Sequence, residues 1–590
     1  MTNTKFNRRA GSVIALAIGT VLAADAGAIS FEKGELSGSW DTTLSYGAAW
    51  RVEERDPNNV GKANLNPLVS QLPREEQIAH PGRWSVNSDD GNLAYDEGDL
   101  ISHAVKATSE LGLNWRNYGA FFRVSAFYDF ENTDRENIGE TAEELVGNDV
   151  TMLDAYVYGN FTPGGKNAQL RVGRQVVSWG ENTFIQGGVN VINPVDVSKL
   201  RIAGAELKEA FLPVDSVYGS LELTENLSAE AVYLLEYEQI DPDPAGSYFS
   251  DNDFAVPDGD FVMLGFGLFD EQTPGLTVDR SPTRYPSETG QYGIALRYFA
   301  PDLNFTEFGL YYINYHSRLP LISGRSVTTT SPESGTYFVE YPEDIEVFGA
   351  SFNTMIDTWA LQGELSYRPD EPLQLDDVEL LFASLSPLNA LIPAPNNRFF
   401  SQLGEFPAGT EIQGWRNFET AQLQFTLSKV IGPGNPFGAN QWVVLGEVGA
   451  KKVFDMPAKE DLRLNGPGTD LGGGPDVTDG FFRNPLTQDD GFADSFSWGY
   501  RLVSRVDYNS VFGTAWNLSP FLGYNHDVNG TSPGPGGNFI DGRKQLTLGL
   551  GGNYQNTWAF DLSYTRFFGS PEFNTLHDRD FVSAAIKYSF

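Results

Sequence analysis

Apolar side chains recur at every second position over most of the chain. In the stretch LSGSWDTTLSYGAAWRV one register carries Leu36, Trp40, Leu44, Tyr46, Trp50 and Val52, and the other carries Ser37, Ser39, Asp41, Thr43, Ser45 and Arg51. A period of two belongs to strands whose two faces meet different surroundings. The alternation returns in about eighteen segments. They centre near Leu44, Ser109, Val124, Tyr156, Val172, Gly219, Val232, Ala295, Tyr311, Phe348, Glu364, Gln424, Val448, Arg501, Phe521, Leu548, Leu562 and Ala585. About sixteen is the alternative count, because the segments around Val217 to Tyr237 are poorly patterned.

Three features separate a membrane barrel from a soluble sandwich. Trp40, Trp50, Trp115, Trp359, Trp442, Trp498 and Trp558 sit near strand ends on the apolar register, as in the aromatic girdles of outer-membrane barrels. Short turns such as RNYG, TENL, APDLN and QNT alternate with long polar segments, as periplasmic turns alternate with outer loops. The polar register carries full charges in mid-strand: Lys106, Glu110, Arg123, Arg297, Glu364, Glu447, Arg501, Arg505 and Asp561. A dry sandwich core could not hold them unpaired, whereas enclosed water could. The expected fold is therefore all-β, a transmembrane antiparallel β-barrel with short periplasmic turns and long extracellular loops.

Composition refines this picture. Lys5, Arg8 and Arg9 precede the apolar run GSVIALAIGTVLAA, and Ala26, Gly27 and Ala28 form a cleavage-site pattern, so residues 1–28 read as an export signal. Residues 29–590 then form one barrel domain, with long outer loops expected at 53–100, 179–212, 238–290, 317–343, 369–413 and 455–493. The formal charge of −38 becomes about −40 after cleavage, which argues against a nucleic-acid partner. No cysteine is present, so disulfides, thiolate metal sites and cysteine nucleophiles are excluded. The closing stretch FVSAAIKYSF places Phe590 and Tyr588 on one face, a pattern similar to the signal read by the barrel assembly machinery. The first strand is expected soon after the cleavage site, which leaves no room for a plug domain of about a hundred residues.

Several groups could carry function. The segment Gly173 to Pro213 mixes Arg174, Trp179, Glu181, Lys199, Arg201, Glu206 and Lys208 with Phe184, Ile185, Val191 and Ile192. As the third outer loop it is expected to fold inward, as that loop does in general porins, and to narrow the pore. Arg171 and the lumen-register residues Arg123, Arg297, Arg501 and Arg505 join it as candidates for the solute path. Arg174 falls on the lipid register, and a bulge at Gly173 would re-aim it inward. Phe121, Phe127, Tyr156, Tyr158, Tyr311, Ile313 and Tyr315 take inward registers, as an apolar lining, as a self-filling patch or through a misassigned register. Asp89, Asp90, Asp96 and Asp99, with further acidic groups at Asp251 to Asp260 and Asp470 to Asp479, could hold calcium. None matches the EF-hand loop pattern, so no metal or other cofactor is expected beyond that. His316 and His526 could activate a serine in principle, but no nucleophile-elbow motif is present and no catalytic residue is assigned.

Several stretches resemble the proteobacterial outer-membrane family known as domain of unknown function 1302. They include DDGNLAYDEGDL at Asp89, SELGLNWRNYGAFFRVSAFYDFEN at Ser109, LRVGRQVVSWGEN at Leu170, VNVINPVDVSKLR at Val189, AGAELKEAFLP at Ala203 and GELSYRPDEPLQL at Gly363. Ile202-Ala203-Gly204 departs from the pattern, where a proline before the glycine is expected. The resemblance implies a barrel in the outer membrane of a Gram-negative bacterium, in contact with lipid and lipopolysaccharide. It also implies a setting with a periplasmic lipid-carrier-like partner and an efflux-type transporter. The reading is a channel passing a small hydrophobic or amphipathic solute or lipid. A barrel-embedded hydrolase and a non-conducting scaffold barrel are the alternatives.

Overall fold

The computed structural model describes residues 29–196, 199, 201, 204–205, 207–393, 399–472 and 485–590. The export signal and Glu206 lie outside the described residues. Eighteen strands close into an antiparallel barrel, in chain order around the wall. They are β1 Leu36–Arg51, β2 Leu100–Trp115, β3 Tyr118–Asp129, β4 Asn148–Phe161, β5 Ala168–Gln175 and β6 Val214–Thr224. Next come β7 Leu227–Leu234, β8 Tyr292–Ala300, β9 Thr306–Tyr315, β10 Ile345–Ile356, β11 Trp359–Gln374 and β12 Trp415–Ile431. The last are β13 Gln441–Val453, β14 Phe496–Asp507, β15 Trp516–Asn529, β16 Lys544–Tyr554, β17 Trp558–Phe568 and β18 Phe581–Ser589. Each of the eighteen centres expected from the sequence falls inside one of these strands.

Closure is made by β18 on β1, from Thr43 opposite Ser589 to Arg51 opposite Phe581. Phe590 completes the seam by exchanging backbone hydrogen bonds with Thr42, and the Tyr588 ring packs on Trp558 at 4.6 Å. Below the seam, strand Ile29–Lys33 folds back along the start of β1. The outward register is apolar all round: Val150, Leu310, Leu423, Leu562 and Ile586 are exposed, as are the girdle residues Trp40, Trp115, Tyr118 and Trp558. Such a continuous belt is stable in hydrocarbon and not in water. Among the described residues no helix is long and apolar enough to cross a membrane.

The short turns all lie at one end, and the long connections gather over the other. There they build a cap containing a five-stranded sheet, Glu411–Ile412, Leu321–Arg325, Thr336–Glu340, Thr277–Arg280 and Phe261–Met263, and the helix Asp377–Leu385. Buried ion pairs tie the cap together, Arg51 at the end of β1 to Asp578 at 3.4 Å and Arg83 to Asp470 of another loop at 2.6 Å. One boundary moves. The sequence places the start of an outer loop at residue 369, but β11 runs on to Gln374 through a bulge between Arg368 and Glu371. Pro369 and Pro372 suggest a loop there, and a bulge is one of the places a strand tolerates proline.

Candidate functional site: a loop folded across the lumen

The connection between β5 and β6 turns into the barrel. Its neck is clasped by Asn193, 2% exposed, whose Oδ1 accepts the Val177 N–H at 2.7 Å. The Asn193 amide donates to the carbonyls of Gln175, at 3.1 Å, and Leu212, at 2.9 Å, joining the outgoing and returning legs.

Beyond the neck, the outgoing leg packs its apolar side on one arc of the wall. Val177, Trp179, Val189 and Ile192 form a single buried cluster with Val214, Tyr218, Val232, Leu234, Ala295, Tyr311, Ile313, Tyr315, Ile345 and Val347. Two wall glycines allow this approach. A Cβ on Gly293 would lie 2.6 Å from the Trp179 ring, and one on Gly349 would lie 2.3 Å from Val189. Trp179 also donates its indole N–H to Glu230 at 2.7 Å, and Glu230 accepts in turn from Arg297 at 2.8 Å.

The tip of the loop reaches the adjoining arc, β11 to β13, and is held through its backbone. Glu364 on β11 accepts the N–H groups of Glu181 and Val189, both at 2.6 Å. Glu447 on β13 accepts those of Thr183, Phe184 and Ile185 at 2.9, 2.7 and 2.8 Å. The Gln186 carbonyl accepts from Gln422 and from Asn538, each at 2.7 Å. The returning leg then docks on a third arc. Lys208 pairs with Glu110 on β2 at 2.5 Å, and Glu209 with Lys106 and Thr108.

Several expected roles change in this arrangement. Trp179 is an enclosed anchor, 1% exposed, and presents nothing to a passing solute. Tyr311, Ile313 and Tyr315 line no open path, because the loop covers them; of the three readings, the self-filling patch describes them. Glu364 and Glu447 face backbone N–H groups rather than free water, at 3% and 1% exposure. Gly173 has a positive φ of 124°, but its pairing with Tyr156 and Ser216 continues with no register shift, so no bulge re-aims Arg174. Arg174 instead pairs with Glu236 and Glu238, at 2.5 and 3.1 Å, beside the outer rim.

The other candidates fall on or near the lumen. Arg123 bridges Glu110 and Asp154, at 3.1 and 2.6 Å, beside Lys208. Arg171 stacks on the Tyr218 ring at 4.2 Å. Arg297 bridges Glu230 and Glu307, and Arg501 pairs with Asp527 at 2.8 Å. Arg505 is exposed at the periplasmic end, 3.0 Å from Asp507. Lys199 and Arg201 lie on the returning leg, and Arg201 pairs with Asp243 of an outer loop.

Two tip residues still face open space. Phe184 is 41% exposed, and Glu181 is only partly covered, with Asn353 donating to it at 3.2 Å. Burial pushes the Glu181 carboxyl up to about 7; Asn353 and Arg297 oppose the shift, while Glu307 and Glu364 add to it. On the periplasmic side a cavity of about 530 Å³ opens along the wall, where Asn160, Gln169, Tyr218, Ser220, Glu222 and Glu230 turn inward. Sequence reasoning marked Glu364 and Glu447 as inward charges but missed their backbone partners; Arg501, directly across the ladder from Glu447, looks like the partner instead. Asn538 and Gln422 carried no signal.

The histidines are held structurally. The His316 Nδ1 accepts the Asp344 N–H at 3.1 Å, which leaves its Nε2–H to donate to the Thr289 carbonyl at 3.2 Å. His526 lies against the Tyr500 hydroxyl at 3.2 Å.

The profile of a protein family described as "Protein of unknown function (DUF1302)" matches residues 9–590. The chain belongs to the DUF1302 family. No curated protein matches the sequence. Among solved structures, the chain is similar to OccAB3 of Acinetobacter baumannii, at 10% identity over 94% of this chain and 99% of that one, with a TM-score of 0.40. It is also similar to OccK1 (OpdK) of Pseudomonas aeruginosa, at 9% identity over 94% and 98%, with a TM-score of 0.39.

Proposed function

We propose that this DUF1302 protein is a channel in the outer membrane of a Gram-negative bacterium, passing a small amphipathic solute past the tip of its inward loop. One observation carries the reading. The loop is anchored on three arcs of the wall, yet within its tip it leaves exposed an aromatic ring, Phe184, and, three positions earlier in the chain, a partly covered carboxyl, Glu181. An apolar surface beside a polar group suits a solute with both characters. Below the tip, the acidic cavity at Glu222 and Glu230, with the Tyr218 ring, favours a neutral or cationic polar end. A wholly hydrophobic solute has less support, because the apolar arc is covered. Selection acts by size and charge, and the proposal includes no catalytic step. The two histidines that a hydrolase would use are committed to main-chain and tyrosine partners.

Planar-bilayer recording of the mature chain tests this. The wild type is expected to give small discrete conductance steps, larger in Phe184→Ala, together with uptake of a small aromatic amine into proteoliposomes. A barrel that stays silent both as wild type and after replacement of residues 181–189 by a short Gly-Ser linker would refute the channel.

A further inference from the structure

We propose that Asp89, Asp90 and Asp253 bind a calcium ion that ties the first outer loop to the outer loop following β7. One carboxylate oxygen from each residue lies within 4.8 Å of the others, a span that a single ion with bonds of about 2.4 Å covers. Sequence reading grouped Asp89 and Asp90 with Asp96 and Asp99. The fold separates them: Asp96 pairs with Arg55 at 2.8 Å, and Asp99 caps the Asp96 N–H at 2.9 Å. Asp253 arrives instead from a segment more than a hundred residues away in sequence.

An acidic cluster alone would mean little, but two of its carboxylates, Asp89 and Asp253, are buried and incompletely satisfied. Asp89 is 0% exposed; its Oδ2 accepts from the Gly61 N–H at 2.7 Å and the Asn64 amide at 3.0 Å, while its Oδ1 has no hydrogen-bond donor. Asp253 is 8% exposed; its Oδ2 takes one long bond from the Asp90 N–H at 3.3 Å, and its Oδ1 likewise has no donor. Buried carboxylate oxygens normally find partners.

Two other buried aspartates at the same end of the barrel do so fully, although Asp376 and Asp377 at the start of the cap helix also keep oxygens without a donor. Asp578 accepts from Asn59, Asn92 and Arg51, and Asp129 from Ser102, His103, Glu131 and Asn132. The nearby cations are already committed, Arg83 to Asp470 and Arg579 to the carbonyls of Tyr248 and Ser250. Burial raises all three carboxyls, Asp89 up to about 6; repulsion from Asp90 adds to the shift of Asp89, and repulsion from Asp90 and Asp89 to that of Asp253. An ion removes that repulsion and supplies the missing partner for both oxygens. Three oxygen ligands in a loop setting suit calcium, which tolerates irregular geometry, better than magnesium, which demands a near-ideal octahedron.

The test uses the full mature chain in lipopolysaccharide-free detergent, so that calcium bridging lipopolysaccharide cannot contribute. Chelator-stripped protein is titrated with calcium chloride and followed by calorimetry and thermal unfolding. One saturable site is expected with a Kd of about 10⁻⁴–10⁻³ M, together with a calcium-dependent rise in Tm that magnesium does not reproduce. Asp253→Asn should weaken binding at least about tenfold, whereas Asp96→Asn, outside the cluster, should leave it unchanged. Absence of saturable binding, or binding equal in Asp253→Asn and wild type, would overturn the proposal. A Tm that climbs on acidification with no calcium response would also overturn it, since the cluster would then hold a proton instead. Should Asp253→Asn fail to fold, Asp89→Asn and the wild-type titration still decide.

Discussion

Glu447→Gln offers the sharpest test of how the loop is held. The carboxylate receives three backbone N–H groups, two on Oε2 and one on Oε1, and is 1% exposed. Glutamine keeps the shape and one oxygen. With that oxygen in the Oε2 position, the Phe184 and Ile185 N–H groups keep a neutral acceptor. The Thr183 N–H then meets an NH₂ group. A bond to a charged acceptor is worth roughly 1.5–3 kcal/mol net against roughly 1 for a neutral one, and an orphaned buried N–H costs about 1–3 kcal/mol. The losses come to roughly 3–5 kcal/mol; relief from holding a buried charge returns part of this, leaving about 2–3 kcal/mol against docking. That is roughly a 30- to 150-fold fall in the docked-to-released ratio. The barrel ladder itself is untouched, so global unfolding should barely move. Single-channel recording should show frequent excursions to a larger conductance, with docked dwell times shortened by a similar factor. Traces of Glu447→Gln and of Glu364→Gln/Glu447→Gln that match the wild type would show that these carboxylates do not hold the loop.

Further outcomes follow from the same geometry. Trp179→Ala should cost about 3–5 kcal/mol of loop docking and strip Glu230 of a partner, and trypsin added from outside should then cut at Lys199 and Arg201 faster than in wild type. Gly349→Val, whose side chain would enter the space of Val189, should give the same protease phenotype by displacing the loop, at roughly 1–3 kcal/mol. The Glu181 carboxyl titrates in the open part of the lumen, so cation selectivity, read as reversal potential in a salt gradient, should rise between about pH 6 and 8 as it ionises. Its folded pKa lies above the unfolded value, so its stabilising contribution is complete below about pH 4.5 and is lost as pH rises through about 7. Glu181→Gln should flatten the selectivity profile.

The barrel was legible because lipid imposes one rule on every strand: the outward register must be apolar. The inward register obeys no such rule, and the reading weakened there. The segments from Val217 to Tyr237 looked poorly patterned because both faces turn apolar toward their outer ends, with Tyr218, Val232 and Leu234 pointing inward against Val177, Trp179 and Ile192, while Ser220, Glu222 and Glu230 keep the inward face polar toward the short turns. A strand apolar on both faces is covered on both faces. In a barrel the inner cover has to come from the chain itself, so an unpatterned arc is evidence for an inward segment. The same argument applies to Glu364 and Glu447. Mid-strand carboxylates look like wet lumen charges or like partners of inward arginines such as Arg501, but a row of unpaired backbone N–H groups satisfies them equally well, and an irregular loop has such groups to offer. Neither signal names the loop. That link came only with the fold, since Trp179 and Glu447 are 268 positions apart in the chain yet anchor the same loop against the wall. Calcium at Asp89, Asp90 and Asp253 follows the same logic: a buried acceptor without a donor points to a partner, and local sequence spacing could not show that Asp253 completes the set.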